Sequence, residues 1–170
     1  MNDLQLRPAR REDIPLLGPI EIAADRRYID AGYEGLPEGD TIPLDAAERG
    51  VDTGRITLAL VGGVAVGWLF EGRIDGELCL GQVSVVPDHG RRGVGTALLV
   101  DFIARARARG EPSIVLNTQA NFPWAMPWYA RHGFQVIPVE RWSPGLRAVT
   151  EAQQGGGLDW SHRVHMRLSL

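Results

Sequence analysis

The residues with the plainest chemical meaning form one run, Pro87-Asp88-His89-Gly90-Arg91-Arg92-Gly93-Val94-Gly95-Thr96. Glycine at 93 and 95 lets the main chain approach a ligand without a Cβ in the way, and Arg91 and Arg92 add positive charge. An apolar helical pattern begins immediately afterwards, so the positive end of a helix dipole and its unbonded first-turn amides face the same turn. Together these groups suit a phosphate-sized anion. Two familiar phosphate motifs fit the residues less well. No lysine precedes Thr96, as a Walker A loop requires, and Leu98 stands where a dinucleotide fingerprint has its third glycine.

The elements that must position this turn are visible around it. The β-branched run Val83-Ser84-Val85-Val86 is the end of a strand covering roughly 77 to 86, stopped by Pro87. Upstream, Ile56, Leu58 and Leu60 alternate with Thr57 and Ala59, Gly62-Gly63 supplies a two-residue turn, and Val64, Val66, Trp68 and Phe70 resume the alternation. A second turn over 71–76 leads into the strand before the motif, which implies three successive antiparallel strands. Downstream, Val94, Leu98, Phe102 and Ala106 recur at helical spacing until Gly110 and Pro112. Ile114-Val115-Leu116 is then a strand reached by a helical crossover, expected to run parallel to the first and to place residues 83–86 beside 114–118.

At the chain's start, Leu4 and Leu6 suggest a short strand, and Asp13 is placed to cap a helix through Ile14, Leu17, Ile20, Ile22 and Ala23. Residues 30–54 are rich in glycine, proline and acid, with a helical piece over 45–49; such a region suits a lid or substrate wall. Residues 124–132 read as a helix ended at Gly133, and 142–157 contain another before the Gly155-Gly156-Gly157 joint. Val164, Met166 and Leu168 alternate with His165 and Arg167, a final strand with one face buried.

Composition sets the class. The 170 residues are 44% apolar and 23% charged with a net charge of -3, which fits one soluble domain over 1–170 with no general attraction to nucleic acid. Cys79 is the only cysteine, so a disulfide framework and a multi-cysteine metal site are excluded, and its apolar surroundings predict packing rather than reaction. No apolar run reaches membrane-spanning length, and Met1-Asn2-Asp3-Leu4 lacks the pattern of a secretion signal. The expected location is the cytoplasm, with no metal and no membrane partner.

The strand, Pro87, arginine-glycine turn and helix, together with Pro123-Trp124-Ala125-Met126-Pro127-Trp128-Tyr129-Ala130-Arg131-His132-Gly133-Phe134, resemble the two motifs of the GCN5-related N-acetyltransferases (GNAT), in the family's order and over nearly the whole chain. One position departs: the family usually has Gln or Arg three residues before the first of the paired glycines, where this chain has Gly90. The resemblance implies an α/β (α+β) fold with a mixed, mostly antiparallel, twisted sheet of about seven strands, helices on both faces and a splayed parallel pair. It implies that Val83, Ser84 and Val85 hold the pantetheine arm of acetyl-CoA through main-chain groups, and that Arg91, Arg92, Gly93, Val94, Gly95 and Thr96 hold its pyrophosphate. Asn117 and Thr118 close the second parallel strand beside the expected thioester position, candidates to contact coenzyme or acceptor, with a polar strand end as the ordinary role of each; Asn117 is the expected coenzyme contact.

Tyr129 matches the family tyrosine whose hydroxyl lies near the coenzyme sulfur, which implies a role in stabilising the leaving thiolate. Many relatives carry a glutamate as general base on the strand before the motif; here Gly81-Gln82 occupies that region, and Glu71, Glu77, His89 and His132 are the other titratable groups nearby in sequence. Tyr28, Tyr33, Trp68, Trp124 and Trp128 are candidate pocket walls, core packing being the ordinary role of each, and Asp30, Glu34, Glu38 and Asp40 would favour a cationic amine. The expected activity is acetyl transfer from acetyl-CoA to a small-molecule or peptide amine by direct attack in a ternary complex. A longer acyl donor and a noncatalytic acyl-CoA sensor are the alternatives. The last strand is free to pair between subunits or to be buried in one chain, so monomer and homodimer are both compatible.

Overall fold

The computed structural model describes residues 3–33 and 41–170. They form two compact units, one of residues 3–33, 41–72 and 80–104, the other of 73–79 and 105–170. The strands are β1 (Leu4–Pro8), β2 (Ile56–Val61), β3 (Val64–Ile74), β4 (Glu77–Val85), β5 (Ser113–Gln119), β6 (Gln135–Val136) and β7 (Arg163–Ser169). The helices are α1 (Ile14–Asp30), α2 (Leu44–Asp52), α3 (Val94–Ala108), α4 (Met126–Arg131) and α5 (Pro144–Gly155). Sheet order is β1-β2-β3-β4-β5-β7-β6, with β4 and β5 parallel and β1–β2, β2–β3, β5–β7 and β6–β7 antiparallel. This is the mixed, mostly antiparallel sheet expected from the sequence. Among the described residues no helix is long and apolar enough to cross a membrane.

In the first unit Leu17, Ile20, Ala47, Ile56, Leu58 and Trp68 pack into one core. Trp68 is fully buried, with Nε1 donating to Leu17 O at 3.0 Å, so it is a core residue rather than a pocket wall. The β2–β3 hairpin turns at Gly62 and Gly63, with φ of 58° and 78°, the pair of left-handed residues a tight antiparallel turn needs. Helix α1 differs from expectation at its start. A 3₁₀ turn, Arg11–Asp13, precedes it, so Asp13 already has helical backbone and does not cap α1 with its side chain. The Asp13 carboxylate instead accepts from Arg10 N–H at 2.7 Å and pairs with Arg7 at 2.6 Å. Strand β3 also runs further than expected, to Ile74, and only Asp75-Gly76 forms the turn, with φ of 51° and 80°.

In the second unit β5 pairs with β7 from Ser113–Ser169 to Gln119–Arg163, and β6 lies on the other side of β7. Strand β7 is therefore an interior strand within the chain, and both of its faces are covered: Met166 is 1% and His165 0% exposed. The expectation of one buried face fails because α5, absent from the alternation pattern, supplies Leu146 and Thr150 against His165. Both edges of β7 meet strands of the same chain, β5 and β6.

The parallel register also differs. Leu78 pairs with Ile114 and Cys79 with Val115, so it is residues 78–79, not 83–86, that neighbour 114–115. Helix length accounts for the shift: the 15 residues of α3 carry the chain back about 22 Å, or about seven strand residues, from the end of β4.

Candidate acyl-coenzyme site

The first unit contains the arginine-glycine turn that follows β4. Strand β3 approaches β4 closely at Gly67, where a Cβ would sit 2.7 Å from Ser84 O. Ser84 is 1% exposed and its Oγ accepts from Gln82 Nε2 at 2.9 Å, while Val83 and Val85 are half-buried. Val86 N–H donates to Val66 O, and the chain then leaves the sheet through a 3₁₀ turn, Pro87–His89, closed by Gly90 N–H on Pro87 O at 2.9 Å. Arg91 adopts a left-handed conformation at φ 56°, Gly93 another at 83°, and α3 begins at Val94. Ala97 N–H bonds Gly93 O at 2.8 Å, so the ladder of α3 starts there and the amides of Val94, Gly95 and Thr96 form its first turn.

Side chains around this turn add charge. Arg91 and Arg92 are exposed, whereas Val94, at 2%, anchors the helix start in the core. Burial lowers the affinity of Arg27 on α1 for its proton, and the nearby Arg91 charge lowers it further, opposed by Tyr28. Two guanidinium groups within each other's field make a region that favours an anion. Of the paired glycines, only Gly93 requires its conformational freedom; Gly95 lies inside α3.

The second unit holds Tyr129. Helix α4 is shorter than the expected 124–132, with proline near its first turn and Gly133 at φ 91° just beyond its end. Tyr129 is 8% exposed, with the Trp128 ring centre at 4.7 Å and Phe134 edge-on at 5.7 Å. Its carbonyl accepts from both His132 and Phe134 N–H, which fixes the backbone beneath the ring. His132 Nδ1 lies 2.9 Å from Trp128 O, a contact within its own helix end. Trp124 stacks on Phe122, and Tyr33 is buried beside Tyr28; Glu34, Glu38 and Asp40 lie outside the described residues.

Other polar groups of this unit are tied to one another. Burial pushes the Glu77 carboxyl up, but hydrogen bonds from Arg167 and Ser113 outweigh it and hold it below the usual range. A carboxylate so paired is poorly suited to accept a substrate proton. Burial drives the Cys79 thiol up to about 12, with Glu77 adding to the effect, so it packs as expected with little thiolate to offer. His165 is held neutral, its pKa lowered to about 4 chiefly by burial, with Arg163 contributing. Asn117 Oδ1 accepts from Arg163 Nε and Nη2 at 3.2 and 2.5 Å. Arg163 also lines a half-open cleft of about 360 Å³, with Trp142, Trp160 and Gln154 among its walls. Neither Arg163 nor His165 stands out in sequence, because β7 read as a one-faced strand. Among the described residues no group of three or more His, Cys, Asp or Glu side chains could hold a metal ion.

Residues 23–134 match the model of the Acetyltransferase (GNAT) family. In fold, the chain is similar to the PaiA N-acetyltransferase from Thermoplasma acidophilum in complex with coenzyme A, at 14% identity and a TM-score of 0.73, covering 98% of this chain and 99% of that one. It is similar to a GCN5-related N-acetyltransferase from Rhodopseudomonas palustris at 20% identity and 0.72, covering 100% and 98%. The Escherichia coli ribosomal-protein-S18-alanine N-acetyltransferase matches at 17% identity and 0.63, covering 98% and 93%.

Proposed function

The chain belongs to the acetyltransferase (GNAT) family, and from that premise we propose that it transfers an acetyl group from acetyl-CoA to a primary amine by direct attack in a ternary complex. The observation that carries this is the left-handed turn at Arg91 and Gly93, which leads straight into the first turn of α3 with Arg91 and Arg92 exposed beside it. Such a turn fits a diphosphate: neutral donors converge on it, two guanidinium groups supply charge, and the first turn of α3 adds its dipole. Main-chain groups of Val83, Ser84 and Val85 pair with the pantetheine arm as a partial strand. Asn117, with Oδ1 taken by Arg163, offers its Nδ2 donors to the same arm.

In the transfer, the neutral amine nitrogen attacks the thioester carbonyl carbon. The C–N bond forms, the C–S bond breaks, the nitrogen gives up a proton, and coenzyme A leaves as thiolate. Tyr129 donates a hydrogen bond to that sulfur. An ordinary tyrosine near pKa 10 facing a thiol near 8.5 makes full proton transfer uphill by about 2 kcal/mol, so hydrogen-bond stabilisation is the economical role. Residues 1–170 work as one domain, as monomer or homodimer, in the cytoplasm.

The test is steady-state thiol release from acetyl-CoA with a panel of amines, alongside calorimetry with coenzyme A. Tyr129→Phe should lower kcat about tenfold to a hundredfold while the coenzyme Kd stays unchanged. Wild-type turnover in that variant removes the tyrosine's role. Coenzyme binding without transfer to any amine points to a sensor, and faster release from a longer acyl thioester points to a different donor.

A further inference from the structure

A buried amide that bonds to nothing is costly, because the water stripped from it is not replaced. Gln119, the last residue of β5, is 3% exposed, and among the described residues neither its Oε1 nor its Nε2 has a hydrogen-bond partner. Its register partner on β7 is Arg163. The Arg163 guanidinium is held in place, donating twice to Asn117 Oδ1 and lying 5.7 Å from the centre of the Trp160 ring. Paired residues, and residues two apart on a strand, project from one face, so Asn117, Gln119 and Arg163 share a polar face at the C-terminal end of β5. Ligands of open α/β sheets collect at the carboxyl ends of parallel strands.

Charge favours an anionic ligand on this face. The strand ends at once, with Ala120 N–H on His162 O at 2.7 Å and Asn121 exposed, and Arg163 reaches the cleft it lines. The Arg163 charge is felt in the interior, where it helps keep His165 neutral. A polyamine would bring like charge to this face. A carboxylate would complete it, because guanidinium and carboxylate form charge-assisted, geometrically matched bonds. An amide offers one donor and one acceptor side by side, which suits a molecule whose carboxylate lies next to its nitrogen.

We propose that Gln119 and Arg163 recognise the carboxylate of an amino-acid-class acceptor, with Gln119 Nε2 and the guanidinium donating to it and Gln119 Oε1 accepting from the acceptor's nitrogen. The proposal rests on the acyl-transfer reading above and adds the acceptor class. It runs against the acidic residues of 30–40, which by themselves would favour a purely cationic amine.

The test compares thiol release from acetyl-CoA with L-glutamate, L-methionine and L-phenylalanine, each beside its primary amide, and with spermidine. At least one acid should exceed its amide by about tenfold or more in kcat/KM. Gln119→Leu should raise the acceptor KM for that acid about tenfold, leave the KM for acetyl-CoA unchanged, and melt no lower than wild type, since it removes a buried unbonded amide. Arg163→Met should abolish the preference for acid over amide, and Arg163→Lys should restore part of it. Amides or spermidine matching the acids, or an unchanged acceptor KM in Gln119→Leu, overturns the proposal while leaving acyl transfer standing. Absence of coenzyme A binding by calorimetry overturns both. Gln119→Leu keeps the test decisive even where an Arg163 variant fails to fold.

Discussion

Asp75 and Arg91 share a backbone conformation that side chains rarely adopt, with φ of 51° and 56°, yet the two are compensated in opposite ways. At Asp75 the strain is absorbed locally. The residue sits beside Gly76 in a two-residue turn, and its carboxylate accepts from Gly145 N–H at 2.8 Å. The hydrogen bond from Ser143 and that amide hold the carboxyl below its usual range. Arg91 lies instead exposed at the turn before α3, where its charge meets that of Arg27. Strain with local compensation is architecture. Strain without such compensation is what the proposed pyrophosphate turn carries.

The comparison breaks most visibly by acidification. The α5 region pinned by Asp75 covers His165, which the fold keeps neutral with a pKa near 4 instead of 6.5. Because the unfolded chain binds the proton more readily, the stabilisation is complete above about pH 6.5 and is lost as pH falls toward 4, at most about 3 kcal/mol. Chemical denaturation across that window should show the slope, and His165→Phe should flatten it.

Next in size, Arg91→Glu should weaken coenzyme A binding about tenfold or more by calorimetry while leaving the melting temperature within a degree or two. Asp75→Ala should do the reverse, lowering the melting temperature by a few degrees through loss of the turn and of the acceptor for α5, with coenzyme affinity unchanged. The smallest effect sharpens the contrast: Arg91→Gly should stabilise the free protein by about 0.5 kcal/mol, strain relief being partly offset by chain entropy, while weakening coenzyme binding several-fold.

Much of this was visible in the residues. The Gly62-Gly63 hairpin and the strand-turn-helix around Gly93 are local features, written in turn chemistry and periodicity, and both stand where the sequence placed them. What was not visible depends on partners distant in the chain. Asp13 reads as a cap until Arg7 and the amide of Arg10 claim its carboxylate. Glu77 reads as a distant base candidate until Arg167, 90 positions away, neutralises it. His165 alternates with apolar residues as an outward side chain would, and only the docking of α5 buries it. Gln119 carried no signal at all, since an amide at a strand end is unremarkable until its lack of a partner is seen.

The interior position of β7 has a consequence for biosynthesis. A ribosome extrudes β5 and β6 well before residues 163–169 emerge, so β6 has no neighbour to lie against in the nascent chain and β5 waits with one edge bare. Translation stalled ahead of Arg163 should leave that half open to chaperones and proteases, and the half should close in a single late step once the intervening strand threads into place.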